Sequence, residues 1–575
     1  MRPATAFRLG ATVLALLTAL LAVHPPAARA VSYTKITGSG STWSSNALDQ
    51  WRRNISANIG LTVNFTANGS SQGREQFKNG VVDFAVSEIP YGLTEQGVTD
   101  APPSRGYAYM PIVAGGTAFM YNLKISGKQV TNLRLSGDSL AKIFTGRVTM
   151  WNAAEIRADN PGLTLPARRI VPVVRSDGSG TTAQFTTWLA KEQGALWKDY
   201  CNRTGRGSAC GMTSYYPVLG GSSMIAKSGS LGVSGFVRQP QAEGAITYVE
   251  YSYAIKTGFP VAKMLNRSGY YVEPTASSVA VALTGAQINQ DKNSSSYLTQ
   301  ILDGVYGNGD RRTYPLSSYS YMILPTSVGG DKNPMTTAKG LSLGTFARYF
   351  LCDGQQQAEE LGYSPLPKNL VQAGFDQIKR VPGAPTAAID INNCRNPTFS
   401  GGVNTLIKNA PYPKSCDKQG STQCSDGTAG AQQNTPVKPA AQGGSSSTSS
   451  SGGGSGGAGS NGGSGSGTSA GSSGTSGSSG GTGGTGDGTP GAQDSGGGTG
   501  GQSIDPDTGE AVGDGSGSGD TSVAANPVNV GYGSSFGLRG ALMALSALLL
   551  LGVVVGPPLA ARALAARTRR RDGAA

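Results

Sequence analysis

The chain has 575 residues, a formal net charge of +13 and a single histidine, His24. Because His24 lies inside a predicted leader, the exported chain would have no imidazole for a serine–histidine hydrolase or a histidine–zinc site. The positive charge favours anionic ligands, but no dense Lys/Arg stripe or nucleic-acid motif accompanies it, so a nucleic-acid partner is not predicted.

Residues 1–30 have the pattern of a secretory signal peptide. Arg2 and Arg8 give a positive start, an apolar run extends to Val23, and Ala28-Arg29-Ala30 supplies a small-x-small cleavage site. The apolar run is short for a membrane span, which needs about 20 residues. We therefore predict that the domain that follows is exported.

Short β-rich runs then alternate with helical patterns, which is typical of an α/β fold. The globular part, about 31–417, is too long for one ordinary domain and favours two lobes. Strands are predicted at 36–37, 61–66, 81–86 and 170–174, with helical patterns across 43–51 and 185–189.

Polar residues stand at four strand-to-helix junctions, namely 38–43, 68–73, 87–88 and 175–182. In open α/β sheets, ligands bind beyond the carboxyl ends of the strands. Glycines there leave backbone amides accessible, and hydroxyls at a helix start can donate to an anion. Taken singly, each junction is more typical of an ordinary helix N-cap.

The fourth junction is stronger evidence for an anion-binding site because it adds a cation. Arg175 offers a planar fork of donors that suits a tetrahedral oxyanion, and Asp177 could hold that fork in place. An ordinary surface arginine remains an alternative for the isolated motif. No nucleotide P-loop sequence occurs.

Six cysteines follow the leader, and none forms a Cys-x-x-Cys pair. An even number in an exported chain predicts disulfides, although the sequence leaves their pairing open. Our hypothesis is Cys201–Cys210, Cys352–Cys394 and Cys416–Cys424.

The C-terminal part has the pattern of a membrane tether. Residues 418–533 are rich in glycine and serine and predict a disordered linker. Residues 540–561 carry no charge and predict a single transmembrane helix, and the basic tail 562–575 should be cytoplasmic. The globular domain would then be extracellular and attached to the cell membrane.

The four junctions, in this order, resemble those of the phosphate-binding proteins that feed phosphate ABC importers. Further similar segments are 110–116, 140–152, 244–251 and 314–319, and the likeness covers about 36–370. The resemblance implies a two-lobed periplasmic-binding-protein-like fold with a two-crossing hinge. Lobe 1 would comprise 31–113 and 314–417, and lobe 2 would comprise 114–313.

The resemblance also implies that the lobes close on one inorganic phosphate, deliver it to a phosphate ABC permease, and use no cofactor, metal or catalysis. The implied phosphate-binding residues are Ser41, Thr42, Trp43, Ser70, Glu88, Arg175, Asp177, Ser179, Gly180 and Thr181. Glu88 would accept the hydrogen bond from the proton of phosphate, which sulfate lacks. The family generally has aspartate at the position of Glu88 and phenylalanine at the position of Trp43.

Two other classes of function remain open from the sequence. A surface sensor or adhesion module could use the same fold without a transporter. A phosphohydrolase is disfavoured, because no carboxylate cluster with two-metal spacing is evident.

Overall fold

The computed structural model describes residues 31–438, apart from 96, 208–209, 292, 295, 386–390 and 401–402. The predicted signal peptide 1–30, transmembrane segment 540–561 and tail 562–575 lie outside the described residues, as does 439–533 of the predicted linker. No helix in the described part is long and apolar enough to cross a bilayer.

The strands and helices alternate along the chain as the sequence predicts. The strands are β1 Ile36–Gly40, β2 Val63–Thr66, β3 Phe84–Ser87, β4 Thr94–Glu95, β5 Val98–Thr99, β6 Tyr107–Tyr121, β7 Lys124–Ile125, β8 Lys128–Gln129, β9 Arg134–Leu135, β10 Val171–Arg175, β11 Ile225–Lys227, β12 Ala245–Glu250, β13 Val261–Leu265, β14 Tyr271–Val272, β15 Gln287–Ile288, β16 Gln300–Ile301, β17 Ser317–Pro325, β18 Phe399–Ser400 and β19 Val403–Asn404. The α-helices are α1 Ser45–Ile59, α2 Ser70–Lys78, α3 Gly137–Phe144, α4 Ala154–Asp159, α5 Gly180–Glu192, α6 Gly194–Arg203, α7 Gly229–Val237, α8 Tyr251–Thr257, α9 Ala276–Ala282, α10 Asp303–Tyr306, α11 Thr337–Leu351, α12 Lys368–Ile378 and α13 Thr405–Asn409.

One sheet runs through both lobes, in the order β11-β10-β12-β6-β17-β3-β1-β2. The long strand β6 belongs to both lobes: residues 107–116 pair with β17, and residues 117–121 pair with β12. The first crossing between the lobes therefore lies inside a continuous strand. This arrangement confirms the predicted two-lobed α/β fold.

Parallel pairing brings the junctions of each lobe to one edge. In lobe 1, β1 pairs parallel with both β2 and β3. In lobe 2, β10 pairs parallel with β11 and β12. Gly40, with φ +136°, allows β1 to approach β3 because a Cβ there would lie 2.1 Å from the Val86 carbonyl oxygen.

Aromatic side chains form the core of each lobe. In lobe 1, the Trp51 ring stacks on Phe350 with centroids 5.1 Å apart. In lobe 2, Phe185 of α5 packs edge-on against Phe144 at 5.1 Å and lies 5.0 Å from Tyr248. The Tyr248 hydroxyl also accepts from the Arg175 amide at 3.3 Å, so this core fixes the end of β10.

A segment that precedes the predicted boundary between lobe 2 and the second part of lobe 1, at 313/314, contacts lobe 1. Residues 276–306 include Gln300, whose side chain pairs with both backbone groups of Tyr319 in β17 at 3.0 and 3.1 Å. Contacts with lobe 1 therefore begin upstream of the predicted boundary. The sequence pattern marked the elements but could not assign them to a lobe.

The predicted start of the linker at residue 418 is also wrong, because 418–438 packs on lobe 2. The Thr428 hydroxyl is bonded to both backbone groups of Val261 in β13, at 3.0 and 2.6 Å. Arg134 donates to the carbonyl oxygens of Cys416 and Ser421 at 2.9 and 2.8 Å. The chain that follows the second part of lobe 1 thus returns to lobe 2.

The structure confirms the three disulfide pairs of our hypothesis. They are Cys201–Cys210, Cys352–Cys394 and Cys416–Cys424. The last of them closes a loop in the segment that returns to lobe 2.

Candidate functional site

The loop between β1 and α1 brings two hydroxyls to the cleft between the lobes. Ser41 and Thr42 are 1% and 6% exposed. The Trp43 amide, an implied anion donor, donates instead to Ser41 Oγ at 3.0 Å. The Trp43 ring packs edge-on against Tyr363 with centroids 5.8 Å apart, and the Tyr363 hydroxyl donates to the Trp43 carbonyl oxygen at 2.7 Å. These contacts hold the loop in place.

Glu88, directly after β3, is the centre of the hydroxyl cluster and is 1% exposed. Its carboxylate accepts from Ser41 Oγ at 2.7 Å, from Ser70 Oγ at 2.8 Å, and from Ser320 Oγ of β17. Burial raises the pKa of Glu88 above its ordinary value, and these hydrogen bonds oppose that rise. The carboxylate is thus held by hydroxyls from three separate elements.

Arg175 ends β10 and is oriented by Asp177, as predicted. Arg175 Nε donates to Asp177 Oδ1 at 2.7 Å, and Nη2 donates to the other carboxylate oxygen. Burial disfavours charge on Asp177, but the guanidinium outweighs it and lowers the pKa of that carboxyl. The remaining nitrogen of Arg175, Nη1, donates to Ser230 Oγ at 3.3 Å.

The N-terminus of α5 contributes the last group of predicted residues. Ser179 Oγ accepts from a backbone amide of the first turn at 3.2 Å and so caps the helix. The Gly180 amide donates across the cleft to Ser70 Oγ at 3.2 Å, and a Cβ at Gly180 would lie 1.8 Å from Glu88 Oε2. The Thr181 hydroxyl is buried and has no hydrogen-bond partner among the described residues.

Three residues of the site were missed by the sequence reasoning. Ser230, in the first turn of α7, lies with its hydroxyl oxygen 2.8 Å from Thr42 Oγ1. The Tyr253 hydroxyl donates to the Thr42 carbonyl oxygen. The sequence Ser228-Gly229-Ser230 after β11 repeats the strand–glycine–serine–helix pattern and could have been found. Tyr253 and Ser320 lie inside regular elements, where no junction pattern marks them.

A second set of contacts fastens the lobes at the mouth of the cleft. Glu95, in the β4–β5 hairpin of lobe 1, accepts from both the amide and the hydroxyl of Ser214 in lobe 2, the latter at 2.6 Å. Ser71 Oγ also donates to Ser214 Oγ, at 3.3 Å. We call Glu95 and Ser214 the clasp. The Cys201–Cys210 disulfide closes the loop that leads into Ser214.

The assembled groups suit an anion. A guanidinium, a helix-terminal amide and several hydroxyls are the donors that oxyanions prefer. Within the described ranges, no group of three or more His, Cys, Asp or Glu side chains is placed to hold a metal ion. Of the ten predicted residues, the cleft brings together Ser41, Thr42, Ser70, Glu88, Arg175, Gly180 and, next along α5, Thr181, whereas Trp43, Asp177 and Ser179 serve chiefly to position them.

Two α/β lobes that share a strand and close on a buried polar cleft define a two-lobed solute-binding protein. A family model for the PBP superfamily domain matches residues 25–353. The phosphate-binding protein PstS of Xylella fastidiosa is 32% identical over 348 residues, which cover 60% of this chain and 86% of the relative. PstS 2 of Mycobacterium tuberculosis is 30% identical over 339 residues, which cover 58% of this chain and 84% of that protein.

A crystal structure of a phosphate-binding protein from Stenotrophomonas maltophilia aligns with 64% of this chain and 99% of that chain, at 18% identity and a TM-score of 0.46. The chain belongs to the PBP superfamily and, within it, to the PstS family of phosphate-binding proteins.

Proposed function

We propose that this chain is an exported, membrane-tethered receptor that closes on one inorganic phosphate ion and delivers it to a phosphate ABC permease. The observation that carries the proposal is the meeting of anion donors from both lobes around one carboxylate. Lobe 1 supplies the hydroxyls of Thr42 and Ser70, and lobe 2 supplies Arg175, the Gly180 amide and the Thr181 hydroxyl.

Glu88 supplies the discrimination between phosphate and sulfate. At neutral pH, phosphate carries a dissociable proton that it can donate to a fixed carboxylate, whereas sulfate carries none. In a buried cleft, a sulfate oxygen facing the carboxylate would be an unpaired contact between like charges, which costs about 1–3 kcal/mol or more. A receptor of this design therefore rejects sulfate by chemistry rather than by size.

Calorimetric titration of the full-length chain, purified in detergent, tests the assignment. We expect phosphate to bind at one site per chain and sulfate to bind at least about 100-fold more weakly, in proportion to a penalty of about 3 kcal/mol. Sulfate binding as tight as phosphate binding would contradict the selectivity, and the absence of phosphate binding would contradict the function.

In this proposal, residues 439–575 attach the globular domain to the membrane. The Gly/Ser-rich tract, the apolar segment 540–561 and the arginines after it fit a flexible linker followed by an outside-to-inside membrane span. Recovery of the chain in the membrane fraction, and its release when 540–575 is deleted, is the expected result. Loss of phosphate uptake on deletion of the whole protein would distinguish a transport receptor from a sensor or adhesion module.

The clasp should contribute to affinity because it joins the lobes only when they are closed. We expect Glu95→Ala to raise the phosphate Kd about tenfold, since hydrogen bonds to a charged group contribute about 1.5–3 kcal/mol. The Tm in phosphate-free buffer should change little. Glu75→Ala, which removes an exposed glutamate of α2, is the matched control. An unchanged Kd for Glu95→Ala would show that the clasp is not coupled to binding.

A further inference from the structure

Ser230, in the first turn of α7, contacts two groups of the anion site that come from different lobes. Its hydroxyl oxygen lies 2.8 Å from Thr42 Oγ1 of lobe 1 and accepts from Arg175 Nη1 of lobe 2 at 3.3 Å. The Ser230 amide also donates to Thr42 Oγ1, at 3.2 Å. The residue is fully buried. The phosphate-binding residues that the resemblance implies do not include it.

The start of α7 is fixed relative to the guanidinium of the site. The Gly229 amide donates to Asp177 Oδ1 at 2.9 Å, and the same oxygen accepts from Arg175 Nε. One carboxylate therefore orients the guanidinium and also holds the residue that precedes Ser230. This shared partner keeps the Ser230 hydroxyl within reach of Arg175.

The contact with Ser230 decides which N–H groups of Arg175 remain for an anion. A guanidinium has five N–H donors. Asp177 accepts one from Nε and one from Nη2, and Ser230 accepts one from Nη1. One N–H then remains on each of the two terminal nitrogens, and such a pair can bind two oxygens of a tetrahedral oxyanion.

Ser230 also determines what the Thr42 hydroxyl can do. A hydroxyl has one hydrogen to donate and two lone pairs that accept. The Ser230 amide donates to one lone pair of Thr42 Oγ1. Because Ser230 Oγ accepts from Arg175, we assign its own hydrogen to the second lone pair. The hydrogen of Thr42 is then directed to a ligand.

Resting on the proposed function, we infer that Ser230 is a positioning residue of the phosphate site, which makes Thr42 a hydrogen-bond donor and directs the free N–H pair of Arg175 towards the ion. Its effect on affinity passes through these two residues, because its own polar groups are bonded to them. Both would present only hydrogens to phosphate, and the Glu88 carboxylate is then the group that accepts the proton of the ion.

Calorimetric titration of the full-length chain with inorganic phosphate, in detergent, tests the inference. We expect Ser230→Ala to raise the phosphate Kd about tenfold, because the guanidinium and the Thr42 hydroxyl both lose their orientation. Alanine is a good helix former, so α7 should be retained. Ser228→Ala removes an exposed hydroxyl just before α7 that does not cap the helix, and it should match the wild type.

A double-mutant cycle with Thr42→Val separates positioning from a merely structural role. Thr42→Val removes the hydroxyl on which Ser230 acts. Ser230→Ala should therefore cost at least about threefold less affinity in the Thr42→Val background than in the wild type. A structural role would cost the same affinity in both backgrounds.

A wild-type Kd for Ser230→Ala would overturn the inference, and so would losses of equal size in the two backgrounds. Failure of the proposed function is distinguishable, because the wild-type chain itself would then not bind phosphate. In that case the role of Ser230 is overturned with it.

Discussion

Arg175→Ala is expected to weaken phosphate binding roughly 100-fold or more, which corresponds to about 3 kcal/mol. Arg175 is 2% exposed and is the guanidinium at the centre of the cleft. Its loss removes a charged donor and leaves the partly buried Asp177, which Arg175 now pairs through two nitrogens, without its counter-ion. Titration calorimetry measures the affinity, and thermal unfolding in phosphate-free buffer measures the cost of the orphaned carboxylate.

Two further variants separate the loss of the charged donor from the loss of the counter-ion of Asp177. Arg175→Lys keeps the charge but cannot hold Asp177 in two places and still reach the cleft, so we expect it to recover only part of the affinity. Arg168→Ala removes an exposed arginine of the same lobe, which is paired with Glu243 at the surface, and should leave the Kd unchanged. If Arg175→Ala bound phosphate with wild-type affinity, the guanidinium would not be a phosphate-binding group.

The sequence predicted this site because residues at the carboxyl ends of parallel strands must lie at one edge of the sheet. Ser41–Trp43 follows β1, Glu88 follows β3, and Arg175 ends β10, so the topology alone brings these residues together. Hydrophobic periodicity and turn residues depend on the local sequence, and the strands and turns that they predict are present in the folded chain. The assignment of Asp177 as the partner of Arg175 is likewise local, since the two residues are separated by one position.

What the sequence could not predict depends on packing between distant segments. Ser320 is one of three serines in β17, and only the pairing of β17 with β3 brings it to Glu88. Residues 418–438 have a composition that predicts disorder, but Thr428 satisfies backbone groups of Val261 that no local pattern reveals as open. The closeness of the Glu88 carboxylate to the start of α5 likewise depends on how the two lobes pack together.

Gly180→Ala should reduce phosphate affinity about as strongly as the loss of the guanidinium. The added Cβ would lie 1.8 Å from Glu88 Oε2 and 2.6 Å from Ser70 Oγ, both closer than real Cβ contacts, so closure of the lobes would require these hydrogen-bonded side chains to move. Overpacking of this kind costs about 1–3 kcal/mol, which corresponds to a roughly ten- to hundredfold rise in Kd. The 1.8 Å approach of the added Cβ to Glu88 Oε2 favours the upper end of that range. Because each lobe keeps its own core, the Tm in phosphate-free buffer should hardly change.

The matched control is Gly194→Ala, at the first position of α6, where a Cβ would have no heavy atom within 4 Å and binding should be unaffected. The double variant Gly180→Ala/Glu88→Asp then asks which neighbour causes the loss. If the Glu88 carboxylate is the obstacle, shortening it relieves the contact, and Gly180→Ala should cost about tenfold less affinity in the Glu88→Asp background than in the wild type. Losses that simply add would place the obstruction at Ser70 instead, and would separate the steric role of Gly180 from the position of the Glu88 carboxylate.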